Sequence, residues 1–315
     1  MSKIAFIYPG QGAQKAGMGA DFYENSEIAR YIFDQAGEEL DLDMKELCFE
    51  ENDRLDLTEY TQAAMVTTCL AMTRVAESKG LKADITAGLS MGEYPAIAAA
   101  GGMNDMDAIR LVRKRGILMQ NTVPAGEGAM CAVISMAAEE IEKVIEPIAD
   151  VSVANYNCPG QIVITGKTDA VEEAAAKLKE AGARRTIMLN VSGPFHSQML
   201  VPAGEKLAEE LEHTRFHELR IPYVTNVTAE KVTDIRETPG LLTTQISSPV
   251  RWMQSMERMI ADGVDTFVEI GPGKTLEGFL RKIDRSVKVF HISQWEDVDK
   301  VCTELADSGK MMEEA

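Results

Sequence analysis

The chain has 315 residues, 45% hydrophobic and 26% charged, a balance that supports one large or two modest folded domains and excludes disorder over most of the length. Its 50 acidic side chains against 32 basic ones give a net charge of -18, which repels phosphate backbones and anionic lipid. We therefore expect binding neither to nucleic acid nor to membrane surfaces.

Secretion and membrane insertion are also disfavoured. The five cysteines are scattered, so they give neither a disulfide framework nor a zinc-binding spacing. The chain passes from Lys3 directly into an apolar strand, without the pattern of a signal peptide. The longest uncharged window, 186–204, is broken by prolines and polar residues, unlike a membrane span. These features predict a cytoplasmic protein.

Strands and helices alternate in the first third of the chain. Ile4–Tyr8 is rich in β-favouring residues and ends at a glycine loop, and Asp84–Leu89 has the pattern of a short buried strand. Apolar residues recur at helical spacing over Thr61–Ala76. Asp105–Gln120 predicts a further helix, for which Asp105 is the candidate cap.

The middle of the chain predicts a small domain. Its segments alternate as strand, helix, strand, strand, helix and strand: Ala129–Ser135, Ala137–Ile148, Val151–Asn155, Gln161–Thr165, Asp169–Ala181 and Thr186–Val191. Asp169 and Glu172 have the spacing of a capping box. This β-α-β-β-α-β order is the ferredoxin-like split motif. We therefore predict a ferredoxin-like domain over 125–192, inserted into a larger domain made of 1–124 and 193–315.

The last third returns to α/β alternation. Pro249 suits the first turn of a helix that continues to Ala261, because a missing N–H is no loss there. A strand, a helix, a strand and a terminal helix follow, predicted at Thr266–Ile270, Leu276–Ile283, Val287–Ile292 and from Glu296 onward, with fraying over 311–315. The fold class predicted for the whole chain is α/β.

The sharpest chemical signal is Gly88-Leu89-Ser90-Met91-Gly92. A G-x-S-x-G pattern between a strand and a helix is the context of a nucleophile elbow, in which the glycines allow a tight turn that exposes the serine hydroxyl. The N–H of Met91 would point the same way and could stabilise an oxyanion. The competing interpretation is that Ser90 only caps a helix.

A serine hydroxyl is a weak nucleophile and needs a base, and the chain contains four histidines. His213 and His217 lie in a charged segment and are interpreted as surface residues, and His291 ends an apolar strand. His196 lies in the glycine-containing loop Ser192–Ser197, the kind of segment that carries catalytic side chains. His196 is therefore the candidate base.

The loop Pro9–Gln14 follows the first strand and can present a backbone N–H at the carboxyl edge of the sheet. It has two alternative interpretations, an ordinary glycine turn and a broken dinucleotide-binding fingerprint. The fingerprint is broken because Lys15 stands where its third glycine belongs. From the residues alone, all three interpretations stay open.

Six motifs, in order, resemble those of the malonyl-CoA:acyl-carrier-protein transacylase family. They span residues 10 to 274, nearly the whole chain: Gly10-Gln11-Gly12-Ala13-Gln14, Gly88-Leu89-Ser90-Met91-Gly92-Glu93-Tyr94, Arg115-Gly116, Asn157-Cys158-Pro159-Gly160-Gln161, Pro194-Phe195-His196-Ser197 and Glu269-Ile270-Gly271-Pro272-Gly273-Lys274. One departure is Leu89, where His is common in the family, and it removes no assigned role. The number and order of the motifs make the resemblance specific.

The resemblance implies an α/β-hydrolase-like large domain with a ferredoxin-like insert, and it implies roles for matching residues. Ser90 would be the nucleophile and His196 the general base. Backbone N–H groups of Gln11 and Met91 would form the oxyanion hole, and Arg115 would pair with the free carboxylate of malonate. Other matching positions are a pocket-lining glutamine, a bulky residue that accompanies malonyl use, and a residue whose carbonyl orients the base: Gln62, Phe195 and Gln245.

The implied activity moves a malonyl group from malonyl-CoA to the phosphopantetheine thiol of acyl carrier protein, through a malonyl-serine ester, in fatty acid biosynthesis. No metal or redox cofactor is expected, and the enzyme is expected to be a monomer that binds its carrier transiently. Two alternatives stay open. One is a free-standing acyltransferase of polyketide synthesis, and the other is a serine esterase or thioesterase, whose base usually comes late in the chain, as His291 does.

Two groups of basic residues have both a plain and a functional interpretation. Arg113-Lys114-Arg115 could be a solvated run, yet successive residues of a helix point in different directions, so Arg115 alone can be buried. Gly116 favours this because a small residue lets another backbone come close. The second group either docks an acidic carrier or is only a solvated helix end: Arg281, Lys282, Arg285 and Lys288.

Overall fold

The computed structural model describes residues 3–307. Within this range the chain forms ten strands: β1 (Lys3–Tyr8), β2 (Ile85–Gly88), β3 (Gly128–Ile134), β4 (Val151–Cys158), β5 (Gln161–Lys167), β6 (Arg185–Met188), β7 (Tyr223–Val224), β8 (Lys231–Val232), β9 (Val264–Ile270) and β10 (Lys288–Ile292). The fraying predicted over 311–315 lies outside the described residues.

The same range forms thirteen α-helices: α1 (Ala20–Asn25), α2 (Glu27–Leu40), α3 (Met44–Phe49), α4 (Thr58–Ser78), α5 (Glu93–Ala99), α6 (Asp105–Asn121), α7 (Ala138–Ile145), α8 (Thr168–Glu180), α9 (Val201–Glu212), α10 (Thr238–Gln245), α11 (Trp252–Ala261), α12 (Thr275–Ile283) and α13 (Trp295–Asp307). None of the helices described is long and apolar enough to cross a membrane.

Six strands form a mostly parallel sheet in the order β10-β9-β1-β2-β7-β8, in which only β8 runs antiparallel to its neighbour. β1 and β2 lie at its centre and are almost entirely buried, as strands of a parallel sheet covered on both faces must be. Tyr8 of β1 lies in register with Gly88 of β2, and Ile7 with Glu269 of β9. The carboxyl ends of these strands therefore meet at one edge, where ligands of such sheets bind.

Four strands form a separate, wholly antiparallel sheet in the order β4-β5-β3-β6. β4 and β5 are joined by a tight turn in which Gly160 has a φ of 72°. α7 and α8 pack against this sheet in a core that includes Ile141, Val171 and Leu178. The prediction of a mixed α/β fold with a separate small β-containing unit is confirmed, and the small sheet is antiparallel.

The helix start predicted at Pro249 is wrong, because the chain there stays extended and α11 begins later. Val250 forms a parallel bridge with Asn155 of β4. The Val250 N–H donates to the Ala154 carbonyl at 2.8 Å, and the Tyr156 N–H donates to the Val250 carbonyl at 2.9 Å. These hydrogen bonds to β4 keep the backbone extended at Val250, although a proline favours the first turn of a helix.

Two predicted helix caps are also wrong. Asn104, not Asp105, caps α6, and its side-chain oxygen accepts an N–H of the first turn at 2.8 Å. α8 begins at Thr168, so Asp169 lies inside the first turn, where its carboxylate accepts the adjacent N–H at 2.9 Å and forms no capping box with Glu172. The earlier start is fixed by hydrogen bonds that Thr168 donates to the carbonyls of Glu127 and Gly126, in the loop before β3.

Candidate active site

Ser90 lies at a tight corner between β2 and α5. Its φ of 54° is in the left-handed region that residues other than glycine rarely adopt. A Cβ on Gly88 would lie 1.8 Å from the Gly92 carbonyl oxygen, and one on Gly92 would lie 2.5 Å from the Tyr8 carbonyl oxygen, so both positions need glycine. Asn226 holds the corner, since its Oδ1 accepts the Ser90 N–H and its Nδ2 donates to the Gly88 carbonyl, both at 2.7 Å. This is the geometry of a nucleophile elbow.

His196 lies within hydrogen-bond distance of the serine. Its Nε2 is 2.8 Å from Ser90 Oγ, and its Nδ1 is 2.9 Å from the backbone carbonyl oxygen of Gln245. Because a carbonyl can only accept, the imidazole proton belongs on Nδ1, and Nε2 accepts from the serine hydroxyl. Burial of the ring and the nearby charge of Arg115 lower the pKa of His196 to about 4. The imidazole is therefore neutral at pH 7, as a general base must be.

Arg115 of α6 brings a buried positive charge to Ser90. Its Nη2 donates to Ser90 Oγ and to Gln245 Oε1, both at 3.0 Å, and its Nη1 donates to Gln62 Oε1 at 2.8 Å. Burial lowers the pKa of this guanidinium, which still stays protonated at neutral pH. Among the described residues its hydrogen-bond partners are neutral, and its Nε has none. A buried cation with only neutral partners is suited to receive a carboxylate.

The three consecutive basic residues of α6 have three different environments. Arg113 pairs with Glu59 at 2.9 Å, whereas Lys114 is exposed. Arg115 is fully buried. A Cβ on the following Gly116 would lie 2.9 Å from a backbone oxygen of α4, so the two helices touch there. The prediction that Arg115 alone turns inward beside a close helix contact is confirmed.

Gln11 and Met91 lie near Ser90, where the carboxyl ends of β1 and β2 meet. The Met91 N–H belongs to the first turn after the corner, where a backbone donor lacks an intrahelical acceptor. The Gln11 N–H has no acceptor within residues 3–307, and its side chain donates to Thr58 Oγ1 at 3.1 Å. The Thr58 hydroxyl bonds the Ser192 hydroxyl at 2.8 Å. Two backbone donors are thus available for an oxyanion, and the Gln11 loop is tied to the segment before the base.

The other predicted site residues surround the serine and histidine. Gln62 is buried on α4, where its Oε1 holds Arg115 and its Nε2 lies 3.5 Å from Met119 Sδ. Gln245 ends α10 and is buried with its backbone carbonyl against the base. Phe195, beside His196, is 6% exposed. The fold thus brings residues from six separate segments to one edge of the large sheet.

His291 is not part of this site. It lies on the edge strand β10, with its Nδ1 3.8 Å from a carboxylate oxygen of Glu277. The sheet order places β9 and β1 between β10 and β2, whose end carries Ser90. The base of a late-chain esterase arrangement is therefore absent from the surroundings of the nucleophile within the described chain.

Two residues that form hydrogen bonds at the site were not among the predicted site residues. Glu93, the first residue of α5, is fully buried, and its Oε2 accepts from Gln245 Nε2 at 2.7 Å and from the Asn226 N–H at 3.1 Å. Burial raises the pKa of Glu93 to about 7. A single acid in an otherwise uncharged helix was a usable signal for Glu93. No local signal marked Asn226, because its partners Ser90 and Gly88 lie 136 and 138 positions away.

The chain resembles known proteins over nearly its full length. A family model described as acyl transferase domain matches residues 5–298. The chain is 44% identical over 304 residues to malonyl CoA-acyl carrier protein transacylase of Bacillus subtilis, covering 95% of this chain and 96% of that protein.

Solved structures agree with this. The malonyl CoA-acyl carrier protein transacylase of Clostridium perfringens has a TM-score of 0.94 and 42% identity, with 98% of each chain covered. A malonyl-transacylase solved in complex with a type II PKS acyl-carrier protein has a TM-score of 0.93 and 35% identity, covering 96% of this chain and 100% of that one. By sequence along 95% of its length and by fold, the chain belongs to the malonyl-CoA–acyl carrier protein transacylase family.

Proposed function

We propose that this protein transfers a malonyl group from malonyl-CoA to the thiol of acyl carrier protein in fatty acid synthesis, with Ser90 as nucleophile and His196 as general base. The observation that carries the proposal is the pair of contacts at Ser90 Oγ. His196 Nε2 lies 2.8 Å away and Arg115 Nη2 lies 3.0 Å away. A base and a receptor for a carboxylate thus converge on one hydroxyl.

The first half-reaction acylates the serine. Ser90 Oγ attacks the thioester carbonyl carbon while His196 Nε2 takes the hydroxyl proton, and the backbone carbonyl of Gln245 stabilises the resulting imidazolium. The N–H groups of Gln11 and Met91 donate to the oxygen that becomes negative in the tetrahedral intermediate. The intermediate expels the coenzyme A thiolate, which takes the proton from His196.

The second half-reaction runs the same chemistry in the opposite direction. The phosphopantetheine thiol of the carrier loses its proton to His196 Nε2 and attacks the carbonyl carbon of malonyl-Ser90. The intermediate then releases Ser90 Oγ, which is reprotonated by the histidine. Because coenzyme A leaves before the carrier reacts, the kinetics are ping-pong.

Choice of the acyl group is assigned to Arg115. Its guanidinium offers parallel donors that match the free carboxylate of malonyl, and Gln62 and Gln245 orient it through their Oε1 atoms. Acetyl has no carboxylate and gains nothing from this charge. Phe195, buried beside the base, supplies bulk that would crowd an α-methyl substituent.

Intact-mass measurement tests the proposal. Mixing the protein with malonyl-CoA and no carrier should give one malonyl adduct, and Ser90→Ala should give none. The adduct should persist in buffer and disappear when carrier bearing phosphopantetheine is added. An adduct that hydrolyses as fast as the carrier removes it would favour a thioesterase and overturn the transferase assignment.

A carrier of polyketide synthesis is the second candidate, because one similar structure is a malonyl-transacylase bound to a type II PKS acyl-carrier protein. The two carriers would use the same site. Measuring kcat/KM with one fatty-acid carrier and one polyketide carrier separates them. A higher value with the polyketide carrier would replace the fatty-acid assignment.

The proposal also covers the two domains and the cellular compartment. We assign residues 1–124 and 193–315 to an α/β-hydrolase-like domain and 125–192 to a ferredoxin-like domain. The strand order β6-β3-β5-β4 of the small sheet, fourth-first-third-second by chain order, supports the latter. The five cysteines are free, four of them buried, which supports a reducing, cytoplasmic setting. A monomeric state remains a prediction.

A further inference from the structure

Glu93 is a buried carboxylate that the mechanism above does not use. It lies three positions after Ser90 and contacts two residues that organise the site, since Oε2 accepts from Gln245 Nε2 at 2.7 Å and from the Asn226 N–H at 3.1 Å. Its other carboxyl oxygen, Oε1, is buried and has no hydrogen-bond partner among the described residues. A carboxylate is rarely placed out of solvent unless it is paired or has a specific use.

Through Gln245, Glu93 controls which way one amide faces. Gln245 Nε2 donates to Glu93 Oε2 at 2.7 Å and to the Ser90 carbonyl oxygen at 2.9 Å. A carboxylate oxygen and a carbonyl oxygen can only accept hydrogen bonds. The reversed amide would place its oxygen against two acceptors, so the observed orientation is fixed. Oε1 of the same amide is left to accept from Arg115 Nη2 at 3.0 Å. Glu93 thereby sets the position of the guanidinium.

Through Asn226, Glu93 also supports the nucleophile corner. The Asn226 backbone is held by the bond to Glu93 and by the Arg251 N–H, which donates to the Asn226 carbonyl at 3.0 Å. The Asn226 side chain then bonds both Ser90 and Gly88. One buried acid is thus linked to the nucleophile, to the base through Gln245, and to the acyl-carboxylate receptor.

Glu93 also acts on Arg115 electrostatically. Arg115 forms no ion pair among the described residues, and Glu93 is the carboxylate whose charge acts on it, one amide away. The other titratable groups that interact with Glu93 are Tyr94 on its own helix and Tyr223 on β7. Burial raises the pKa of both phenols, which therefore stay neutral at pH 7. Arg115 is thus an ion whose charge acts on Glu93.

We propose that Glu93 is a specificity-determining positioning residue: it fixes Gln245 and Asn226, and it serves as the counter-charge of Arg115 until the malonyl carboxylate takes that place, when Glu93 binds a proton from solvent. This inference rests on the proposed pairing of Arg115 with malonyl. Two carboxylates directed at one buried guanidinium repel each other, so the second to arrive favours the neutral form of the first. Burial already raises the pKa of Glu93 to about 7, so a modest further rise changes its charge near neutral pH.

Proton uptake on binding tests this directly. Ser90→Ala cannot be acylated, so its binding of malonyl-CoA can be measured by titration calorimetry in two buffers of different ionisation enthalpy. Between pH 7 and 8.5 we expect a net uptake of a fraction of a proton with malonyl-CoA, about one half at its maximum for a one-unit rise in the pKa of Glu93. With acetyl-CoA we expect only the uptake or release that the coenzyme A moiety causes with both ligands. The affinity for malonyl-CoA should also fall several-fold over this range, up to about tenfold for each unit by which binding raises the Glu93 pKa.

Two substitutions in the Ser90→Ala background identify the proton acceptor. Glu93→Gln keeps the shape and an acceptor oxygen, and it should abolish the uptake and flatten the pH dependence of binding. Glu269→Gln is the matched control, because burial raises the pKa of Glu269 to about 7 as well, while its carboxylate caps α12 away from Ser90. Uptake should persist in that variant.

The outcomes separate this inference from the function on which it rests. Uptake that persists in Glu93→Gln, or no uptake at any pH from 6 to 9 in the Ser90→Ala protein, overturns the role of Glu93. Arg115→Ala that binds malonyl-CoA as tightly as its parent overturns the proposed pairing instead. If binding depends on Arg115 and the proton depends on Glu93, both stand.

Discussion

The proposed acylation step uses a neutral His196, whose Nε2 lies 2.8 Å from the Ser90 hydroxyl oxygen. His196→Ala should slow the release of coenzyme A from malonyl-CoA by about 10²–10⁴-fold, the usual effect of removing a positioned general base. Rapid-mixing measurement of thiol release under single-turnover conditions reports this step alone. His291→Ala is the matched control and should retain most activity, since His291 lies on the edge strand β10. The reverse pattern would mean that the base comes from the end of the chain.

Arg115 is the residue that we expect to discriminate malonyl-CoA from acetyl-CoA. Removing one partner of a buried, hydrogen-bonded charge pair costs about 2–5 kcal/mol, or about 30- to several-thousand-fold in rate. Arg115→Ala should therefore lower kcat/KM for malonyl-CoA by that order, while transfer from acetyl-CoA holds or rises. Arg115→Lys should recover only part of the loss, because an ammonium lacks the two parallel donors.

The comparison of malonyl-CoA with acetyl-CoA distinguishes a loss of carboxylate binding from misfolding of the Arg115 variant. A variant that was merely misfolded would lose both activities together. If Arg115→Ala kept the preference for malonyl-CoA over acetyl-CoA, the guanidinium would not be the carboxylate receptor.

At the scale of elements, α12, β10 and the turn between them carry the basic cluster, which either docks an acidic carrier or is solvated surface. Arg281 is paired with Glu277, and Lys282 Nζ lies 3.4 Å from Gln161 Oε1. Arg281 and Arg285 line a cavity of about 490 Å³. An acidic carrier would need such a face, because the chain as a whole has a net charge of -18.

Reversal of two exposed charges tests this docking face. Arg285→Glu with Lys288→Glu should raise the KM for the carrier several-fold and leave acylation by malonyl-CoA unchanged, because the nucleophile is not touched. Lys79→Glu with Lys300→Glu changes the net charge equally at the α4 and α13 surfaces and serves as the control. Equal carrier KM values in the two double variants would assign the cluster to solvated surface.

At the scale of the whole molecule, three buried groups couple stability to pH in opposite directions. The pKa of His196 is lowered from 6.5 to about 4, and those of Glu93 and Glu269 are raised from 4.5 to about 7. The contribution of His196 to the free energy of unfolding is fully present above pH 6.5 and is lost as the pH falls toward 4. The glutamates' contributions are present below pH 4.5 and are lost as the pH rises through 7.

Between pH 4.5 and 6.5 the effect of the two glutamates is opposed by that of only one histidine. The combined contribution of the three groups to the free energy of unfolding therefore falls by about 1.4 kcal/mol per pH unit as the pH rises. Glu269→Gln cannot ionise and should therefore lose about 2–3 kcal/mol less stability than the natural sequence between pH 5 and 7.5. Urea unfolding followed by circular dichroism at the two pH values measures this. Stability losses that run parallel in the two proteins would show that Glu269 is not buried as an uncharged acid.

The sequence by itself determined the features that depend on short segments. The strand–turn–helix around Ser90 could be predicted because only glycine allows the approach of Gly88 to the Gly92 carbonyl, and that requirement is local. The burial of Arg115 was indicated by its neighbour Gly116, because a small residue lets another backbone come close, whereas periodicity alone favoured a solvated run. The β-α-β-β-α-β order of the middle region was visible because each element carries its own hydrophobic period.

Only the tertiary structure decided how those segments meet. Pro249 has the local signature of a helix start, yet the chain there stays extended because it bonds to β4, which lies about a hundred positions earlier. His196 rather than His291 reaches the nucleophile because β9 and β1 stand between β10 and β2. Asn226 and Glu93 gain their roles only from partners on other segments. Periodicity and turn chemistry act over a few residues, whereas hydrogen bonds to a buried site join residues that no local pattern relates.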